Sequence, residues 1–350
     1  MTNVIRHFTE KLRGPGVGPV LVKGGGGALI VKVVGAGAAF VAYILLARLL
    51  GLQSFGDYVY VVGWASVLMT FGKLGFDSAT IRHVAQYRAA GDEPRLQGFL
   101  RRSWQLPLAM ATIVAAGFAA ATWVIREQLR PELTWAMYTG AGLIVVWTAL
   151  QIAASRLQAI KRVVQATVPN LVLRPLLIVV GVAILWGLVD DDIHPAAGVG
   201  VNALATFALA VLSLRWFTRS GTRPGPGVES TYETGAWLKV ALPLLLIATM
   251  SRLLTRVDLL MVGSIRGTDK AAIYGAASET ANLVAFGLVA LIAMARPMVA
   301  ELYAAGDRKR LRRTARLVAL GATGIALPAF VILLVLGPWI LDLFGASFSL

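Results

Sequence analysis

The stretch PLLLIATMSRLLTRVDLLMV, at residues 243–262, decides the fold class, because it is apolar enough to enter a lipid bilayer yet carries three charges. As a helix, its 20 residues span about 30 Å, the thickness of the hydrocarbon core of a bilayer. The charged residues are Arg252, Arg256 and Asp258. An arginine near the bilayer centre costs about 2.5–17 kcal/mol, so these side chains should face protein or a wet cavity. The stretch therefore predicts a membrane-spanning helix beside a water-filled interior.

The two arginines of this stretch are four residues apart, which places both guanidinium groups on one face of a straight helix. Two stacked guanidinium groups suit a diphosphate or a pair of carboxylates. In the alternative interpretation, Arg252 and Arg256 pair with Asp258, Glu279 or the C-terminal end of a helix, and only hold two helices together. The sequence leaves both interpretations open.

Composition places the whole chain among polytopic membrane proteins. Of its 350 residues, 57% are hydrophobic and 15% charged, and the mean hydropathy is +0.72. The net charge of +15 would suggest a nucleic-acid partner in a soluble protein, but here the basic residues lie between apolar runs, so we expect none. The chain has no cysteine, and its three histidines lie far apart in sequence. We therefore expect neither a metal site nor a cofactor.

Nine apolar windows follow one another along the chain, and each is long enough to cross a membrane as a helix. The predicted fold class is an all-α membrane protein of about nine transmembrane helices, arranged as a six-helix lobe and half of a second lobe. The predicted regions are a cytoplasmic tail at 1–27, the first lobe at 28–217, a cytoplasmic linker at 218–237 and an incomplete second lobe of three helices at 238–350. The windows are 28–48, 57–77, 105–125, 134–155, 168–189, 196–217, 238–262, 273–294 and 316–337.

The loop charges agree with this count of helices. With nine spans, 23 of the 33 Lys and Arg residues fall on one side, five on the other and five within spans. Because Lys and Arg concentrate in cytoplasmic loops, we expect a cytoplasmic N-terminus. The aspartate run at 190–192 should then face outward.

An internal repeat divides the chain into two parallel lobes. VAQYRAAGDEPRL at 84–96 matches VAELYAAGDRKRL at 299–311 with an offset of 215 residues. GLQSFGDY at 51–58 pairs with GTDKAAIY at 267–274, which aligns Gly51 with Gly267 and Tyr58 with Tyr274. Judged by this repeat, the second lobe lacks about three helices, so we expect the sequence to be a C-terminally truncated fragment.

Two long segments carry a resemblance to a known family. They are LLARLLGLQSFGDYVYVVGWASVLMTFGKLGFDSATIRHVAQYRAAGD at 45–92 and RVDLLMVGSIRGTDKAAIYGAASETANLVAFGLVALIAMARPMVAELYAAGD at 256–307. Both resemble bacterial polysaccharide biosynthesis membrane proteins, the Wzx-type lipid-linked oligosaccharide flippases. These belong to the MOP superfamily, together with the lipid II flippases and the MATE antiporters. The matching motifs mark topology rather than catalysis.

The resemblance implies two six-helix bundles around a central cavity that opens alternately to each side. It also implies that an undecaprenyl-diphosphate-linked oligosaccharide crosses the bacterial inner membrane, for export of O-antigen, capsule or exopolysaccharide. The expected partners are this lipid-linked oligosaccharide, the membrane lipids, and polymerase and export proteins of the same pathway.

Cations inside a cavity would offset the lost hydration of a diphosphate. The candidates are Arg252, Arg256, Arg174 and Lys73. Lys73 lies about one turn inside the cytoplasmic boundary, so its side chain could instead extend to the interface.

Asp258 and Glu279 are the acids that we assign to spans, as counter-charges for the arginines or as a proton or sodium coupling site. On one straight helix Asp258 lies about 200° around the axis from Arg256, so the two are poor partners. Asn170 and Asn202 could hydrogen-bond sugar hydroxyls or only bridge helices.

Two other classes of function fit the sequence less well than a flippase does, one because of the charges in its spans and the other because of its short loops. A MATE-like antiporter for cationic drugs needs carboxylates, whereas the spans contain five basic residues and two acids. A membrane glycosyltransferase or polymerase needs a catalytic cluster, usually on a sizeable extramembrane loop, and the outward loops are short. We find no catalytic constellation and expect a transporter rather than an enzyme.

Overall fold

The computed structural model describes residues 18–188, 193–220 and 229–348, and these residues are almost entirely helical. The predicted tail up to residue 17, the aspartate run at 190–192, residues 221–228 of the predicted linker and residues 349–350 lie outside this description. The helices are α1 (Gly18–Gly72), α2 (Phe76–Ala90), α3 (Glu93–Ile125), α4 (Pro131–Ala159), α5 (Val163–Val168), α6 (Arg174–Leu188), α7 (Pro195–Thr218), α8 (Thr234–Leu254), α9 (Val257–Arg266), α10 (Thr268–Ala304) and α11 (Arg308–Asp342). A π-helical segment, Pro169–Leu173, joins α5 to α6.

Helix α1 folds back on itself at Gly51, between the first two predicted spans. Gly51 has φ 71° and ψ 168°, a backbone conformation that is essentially restricted to glycine. The two arms pack antiparallel, since the rings of Tyr43 and Phe55 lie 4.9 Å apart, centroid to centroid. The turn predicted between these two spans is therefore present.

Within the described residues, helical segments cover most of every predicted span. Seven helical stretches of the described chain are long and apolar enough to cross a membrane, and the first of them, Val31–Gly72, contains parts of two predicted spans. The eighth predicted span, at 273–294, lies within the 37-residue helix α10. The described residues contain no β-strand. The predicted all-α membrane fold is thus confirmed.

The seventh predicted span is not one straight helix. Helix α8 ends at Leu254, and α9 begins at Val257 after Arg256, whose φ of −136° and ψ of −15° are not helical. The Thr255 hydroxyl donates to the carbonyl of Arg252 at 2.9 Å and so caps the end of α8. The prediction that Arg252 and Arg256 share one continuous helix face is wrong, because one helix ends and another begins between these two residues.

Both copies of the sequence repeat have the same local geometry. Gly91 and Gly306 end the preceding helices with φ of 68° and 70°. The next residue in each copy, Asp92 or Asp307, caps the following helix by accepting from the backbone N–H three residues later, at 3.1 and 3.0 Å. Gly267 repeats the unusual conformation of Gly51, with φ 95° and ψ 160°. The division into lobes, which rests on this repeat, stays a prediction.

Helix α4 lies at the centre of the described fold. It packs against α1, α2, α3, α5 and α7. Its side chains Leu143, Ile144 and Leu150 are fully buried, and the first two belong to a continuous apolar core with Phe55 and Met69 of α1. This packing fixes the positions of the helices that surround the cavity described next.

Candidate functional site

A cavity of about 560 Å³ lies between both arms of α1, α4, the α5–α6 segment and α7, and Arg256 before α9 and two residues of α10 complete its lining. This volume lies within the range of about 300–1,000 Å³ that is typical of ligand pockets. Its polar and aromatic lining consists of Lys32, Tyr58, Trp147, Asn170, Arg174, Asn202, Arg256, Glu279 and Asn282. The structure therefore brings together five of the eight candidate residues: Asn170, Arg174, Asn202, Arg256 and Glu279.

Arg174 is the most constrained charged group of this cavity. Its side chain is buried, with 8% relative exposure. Nε donates to Asn202 Oδ1 at 3.1 Å and to Thr206 Oγ1 at 3.0 Å, and Nη2 donates to Asn202 Oδ1 at 2.9 Å. The guanidinium carbon lies 3.7 Å from the centroid of the Trp147 ring, a cation–π arrangement. These contacts hold the guanidinium plane in one orientation, and Nη1 has no hydrogen bond to any described residue.

The side chain of Asn202 hydrogen-bonds Arg174 rather than pointing its polar atoms into the open cavity. Its amide oxygen accepts both bonds from Arg174, and its Nδ2 donates to the Tyr58 hydroxyl at 3.0 Å. The side chain is 1% exposed. Of the two interpretations of Asn202, the structure thus displays the helix-bridging contacts. Asn170 differs, because it lines the cavity with its buried Oδ1 unpaired among the described residues.

The π-helical segment explains why Asn170 and Arg174 both line the cavity. The Arg174 N–H bonds to the carbonyl of Pro169, five residues earlier. Pro175 follows directly and has no N–H to continue the normal helical ladder. Single π turns are frequent at functional sites, where they re-aim side chains. Here Gly35 of α1 contacts Leu171 so closely that a Cβ at position 35 would lie 2.8 Å from that of Leu171.

The lining of the cavity carries an excess of positive charge. Lys32, Arg174 and Arg256 are cationic, and Glu279 is the single carboxylate among the described lining residues. Glu279 is only loosely paired, since its Oε1 lies 3.9 Å from Nη2 of Arg256. No carboxylate of the described chain forms an ion pair with Arg174. A buried guanidinium without a counter-charge is costly unless water or an anion reaches it.

The remaining candidates lie elsewhere. Lys73 is buried and its Nζ pairs with Asp77 Oδ2 at 2.7 Å, outside the lining of the cavity. Arg252 and Asp258 line a second cavity of about 500 Å³, which adjoins the first along Arg256 and Glu279. Asp258 accepts from the Tyr274 hydroxyl and from the backbone N–H of Leu259 rather than forming an ion pair with Arg256.

Sequence reasoning missed Trp147 and Thr206, which contact Arg174, and Tyr58, which contacts its partner Asn202. Tyr58 had one signal, because the repeat aligns it with Tyr274. No sequence pattern indicated that Trp147 or Thr206 contacts Arg174, since an aromatic ring and a hydroxyl are ordinary in apolar helices.

A buried aspartate was also missed. Asp57 is 1% exposed, and its Oδ1 accepts from Arg130 Nη2 at 2.7 Å and from Thr268 Oγ1 at 2.6 Å. The Gln53 amide lies 3.2 Å from the same Thr268 hydroxyl. We call these four residues the turn-end cluster, because they join the Gly51 and Gly267 turns. They lie at the end of the fold at which α1 folds back.

Comparison with known proteins agrees with this architecture. The family model described as "Polysaccharide biosynthesis protein" matches residues 21–303, which is most of the chain. The chain belongs to this polysaccharide biosynthesis protein family. The resemblance seen in the sequence is thereby confirmed, whereas no curated protein sequence matches the chain.

Solved structures share the fold of this polysaccharide biosynthesis protein. An inward-facing MATE family multidrug resistance transporter of the MOP superfamily superposes with a TM-score of 0.65 at 17% identity, over 92% of this chain and 76% of that one. The outward-facing conformation of such a transporter superposes with a TM-score of 0.61 at 13% identity, over 96% of this chain and 76% of that one. A MATE protein in complex with MaL6 superposes with a TM-score of 0.61 at 15% identity, over 96% of this chain and 76% of that one. At these identities the likeness establishes a MOP-type fold, and with the apolar helices it identifies a multi-pass membrane protein.

Proposed function

We propose that this protein is a flippase that moves an undecaprenyl-diphosphate-linked oligosaccharide across the bacterial inner membrane. The observation that carries the proposal is Arg174, a buried guanidinium with no ion-pair partner among the described residues, held beside a cavity. A diphosphate that leaves water needs such a group, because charge-assisted hydrogen bonds offset its lost hydration. Arg174 presents Nη1 for this purpose while Asn202 and Thr206 hold its other donors.

Two further cations support a diphosphate rather than a single negative charge. Lys32 and Arg256 line the same cavity as Arg174, from α1 and from the break before α9. Sites formed where a membrane helix is interrupted are common in transporters, since the freed backbone groups and side chains line a cavity. A diphosphate bound here would be contacted from the helices of both predicted lobes.

The sign of the lining charge favours this function over a MATE-like antiporter. The likeness to MATE transporters concerns the fold alone. A site for cationic drugs would need carboxylates to outnumber cations, and the described lining has the opposite balance. A glycosyltransferase or polymerase of the same pathway would need a catalytic cluster, whereas Glu279 is the single carboxylate among the described lining residues of this cavity.

Transport direction and coupling follow from the same proposal. The basic loops would face the cytoplasm with the N-terminus, so the turn-end cluster would lie on the outer side. The oligosaccharide would pass from the cytoplasmic to the outer leaflet and be handed to polymerase and export proteins. Glu279, loosely paired with Arg256, is the carboxylate placed to act as counter-charge or to take up a proton or sodium ion.

The test is transport by the chain in proteoliposomes, with a fluorescent polyprenyl-diphosphate-linked sugar and a cationic dye measured in parallel. Wild-type protein should move the lipid-linked sugar and not the dye. Arg174→Gln should lower the initial rate at limiting substrate by about tenfold or more, because it removes a charge-assisted contact to phosphate.

Arg156→Gln is the matched control, since Arg156 is also buried and also lacks a carboxylate partner in the described chain, but it lies outside the cavity. Its guanidinium donates to the Leu100 carbonyl and to Ser103 at the opposite, basic end of the fold. This control should transport normally per folded molecule. Dye export without lipid movement, unaffected by Arg174→Gln, would refute the flippase.

A further inference from the structure

The second cavity, of about 500 Å³, is built entirely by the segment from α8 to α10. Eight of its twelve lining residues have polar or charged side chains, a denser polar lining than that of the first cavity. These are Arg252, Thr255, Arg256, Asp258, Tyr274, Ser278, Glu279 and Asn282. The two cavities share Arg256, Glu279 and Asn282, so one ligand of sufficient length could occupy both.

The internal repeat relates the two cavities to each other. The offset of 216 residues that matches Gly51 to Gly267 also matches Tyr58, which lines the first cavity, to Tyr274, which lines the second. The same offset carries four apolar lining residues of the first cavity onto polar lining residues of the second. Ala36, Ala39, Phe40 and Val62 correspond to Arg252, Thr255, Arg256 and Ser278. Five lining positions of the second cavity thus correspond to lining positions of the first, and at four of them an apolar residue is replaced by a hydrogen-bonding one.

We propose that the second cavity binds the sugar head group of the lipid-linked oligosaccharide while the first binds the diphosphate. The proposal rests on the flippase function proposed above. In the second cavity two arginines face two carboxylates, so the described lining has no net charge with which to select an ion. A dense set of donors and acceptors without net charge is complementary to a ligand with many hydroxyl groups, each of which both donates and accepts.

The acceptors of this cavity are held in place by the protein itself. The Asp258 carboxylate is fixed by the Leu259 N–H at 2.8 Å and by the Tyr274 hydroxyl. Asn282 Nδ2 lies 3.5 Å from Glu279 Oε2, which keeps the amide beside the carboxylate on one face of α10. A carboxylate offers about four acceptor sites, so each retains capacity for a sugar hydroxyl. Fixed groups of this kind lose little freedom when a ligand binds.

The experiment compares two lipids on the chain reconstituted in lipid nanodiscs. One is a polyprenyl diphosphate without sugar, and the other is the same lipid with an attached disaccharide. The double variant Tyr274→Phe/Ser278→Ala removes two hydroxyl groups from the second cavity. We expect its dissociation constant for the sugar-bearing lipid to rise by about tenfold, with less than about a twofold change for the bare lipid.

Tyr58→Phe is the matched control, because it makes the same substitution at the repeat-related position of the first cavity. It removes the hydroxyl that Asn202 contacts, so it should raise the dissociation constants for both lipids by the same factor. Thermal melting of each variant in detergent separates misfolding from a local loss of affinity. If Tyr274→Phe/Ser278→Ala lowers the affinity for both lipids equally, or lowers neither affinity, the proposed sugar site is overturned. If wild type binds neither lipid, the flippase proposal itself fails.

Discussion

At the residue scale, the function proposed here depends on the bonding of Arg174. Its Nε and Nη2 are committed to Asn202 and Thr206, and its plane rests on Trp147. A guanidinium held by neutral partners keeps its full charge for a ligand. A carboxylate in the place of Asn202 would hold the same geometry but cancel that charge.

Asn202→Asp tests this distinction. The new carboxylate can accept from Arg174 and from the Tyr58 hydroxyl, so every bond of the native network has a replacement. We expect a melting temperature equal to or above that of the wild type, with affinity for a polyprenyl diphosphate lowered by about tenfold, measured in nanodiscs. Unchanged affinity in a stable variant would contradict an anion site at Arg174.

His83 gives a pH dependence at the basic end of the fold. It is buried against the rings of Tyr87 and Phe99, and burial, together with the charge of Arg82, lowers the pKa of its imidazole below the ordinary value of 6.5. The unfolded chain therefore binds this proton first as the pH falls, and stability decreases below about pH 6.5 by at most about 1.4 kcal/mol per pH unit.

Denaturation in detergent at pH 5.5 and 7.5 measures this effect. His83→Phe should reduce the difference in unfolding free energy between the two pH values, because the titrating group is gone. The exposed His194 is the control, and His194→Gln should leave the difference unchanged. An equal pH dependence in His83→Phe and the wild type would show that other groups are responsible.

At the scale of single elements, the two glycine turns explain how long helices reverse direction. Gly51 and Gly267 adopt a region of φ and ψ that side chains make costly. Gly51→Ala and Gly267→Ala should each lower the unfolding free energy by about 1–3 kcal/mol. Gly37→Ala is the control, since no atom lies within 4 Å of a Cβ there and alanine favours a helix. A destabilisation by Gly37→Ala as large as that by Gly51→Ala would contradict this account.

Sequence reasoning predicted the elements better than their irregularities. Apolar length alone predicts each spanning helix, and loop glycines predict the turns. The break at Arg256 and the π turn at Pro169–Leu173 were not predicted, because neither changes the apolar pattern of its span. Pro169 and Pro175 bracket the π turn, but prolines in membrane helices more often produce ordinary kinks. Both irregularities lie at the cavities, where freed backbone groups can be solvated.

The contacts of individual site residues were less predictable for a different reason. Asn202 was weighed as a sugar contact, and Arg174 and Asn202 are 28 residues apart on different helices. Their pairing depends on the rotation of α6 and α7 about their axes, which is set by the packing of α6 against α1 and α7 and of α7 against α4. Asp57 was assigned to a loop because it lies in the stretch GLQSFGDY, at the very start of an apolar window, yet its side chain is among the most buried charges of the described chain.

At the scale of the whole molecule, the turn-end cluster joins the two halves of the chain. Asp57 and Arg130 belong to the first half and Thr268 to the second. Gly56 allows this contact, because a Cβ at position 56 would lie 2.1 Å from the carbonyl oxygen of Thr268. Removing the Asp57 charge should loosen this end and admit water between the halves.

The absence of cysteine makes this expectation measurable. Ala272→Cys places one thiol at a fully buried position of α10, one turn from Thr268. A membrane-impermeant maleimide should label it slowly in the otherwise wild-type chain and several-fold faster when Asp57→Asn is added. Glu127→Gln, which removes an acid outside the cluster, should not change the rate. Equal labelling rates with and without Asp57→Asn would show that the cluster does not close this end.

The contact between residues 229–237 and the first helices has a mechanical consequence. Thr231 donates to the Pro94 carbonyl at 3.1 Å, and a Cβ at Gly98 would lie 1.9 Å from the Thr231 oxygen. Trp237, fully buried, donates to the Tyr87 hydroxyl at 2.9 Å. The segment before α8 is thus held against α3 by direct backbone contact, and the start of α8 is held against α2 by a side-chain hydrogen bond. If the two halves of the chain rotate relative to each other, the contact between residues 229–237 and helices α2 and α3 would be the pivot. The helix ends farthest from this contact would then move the most.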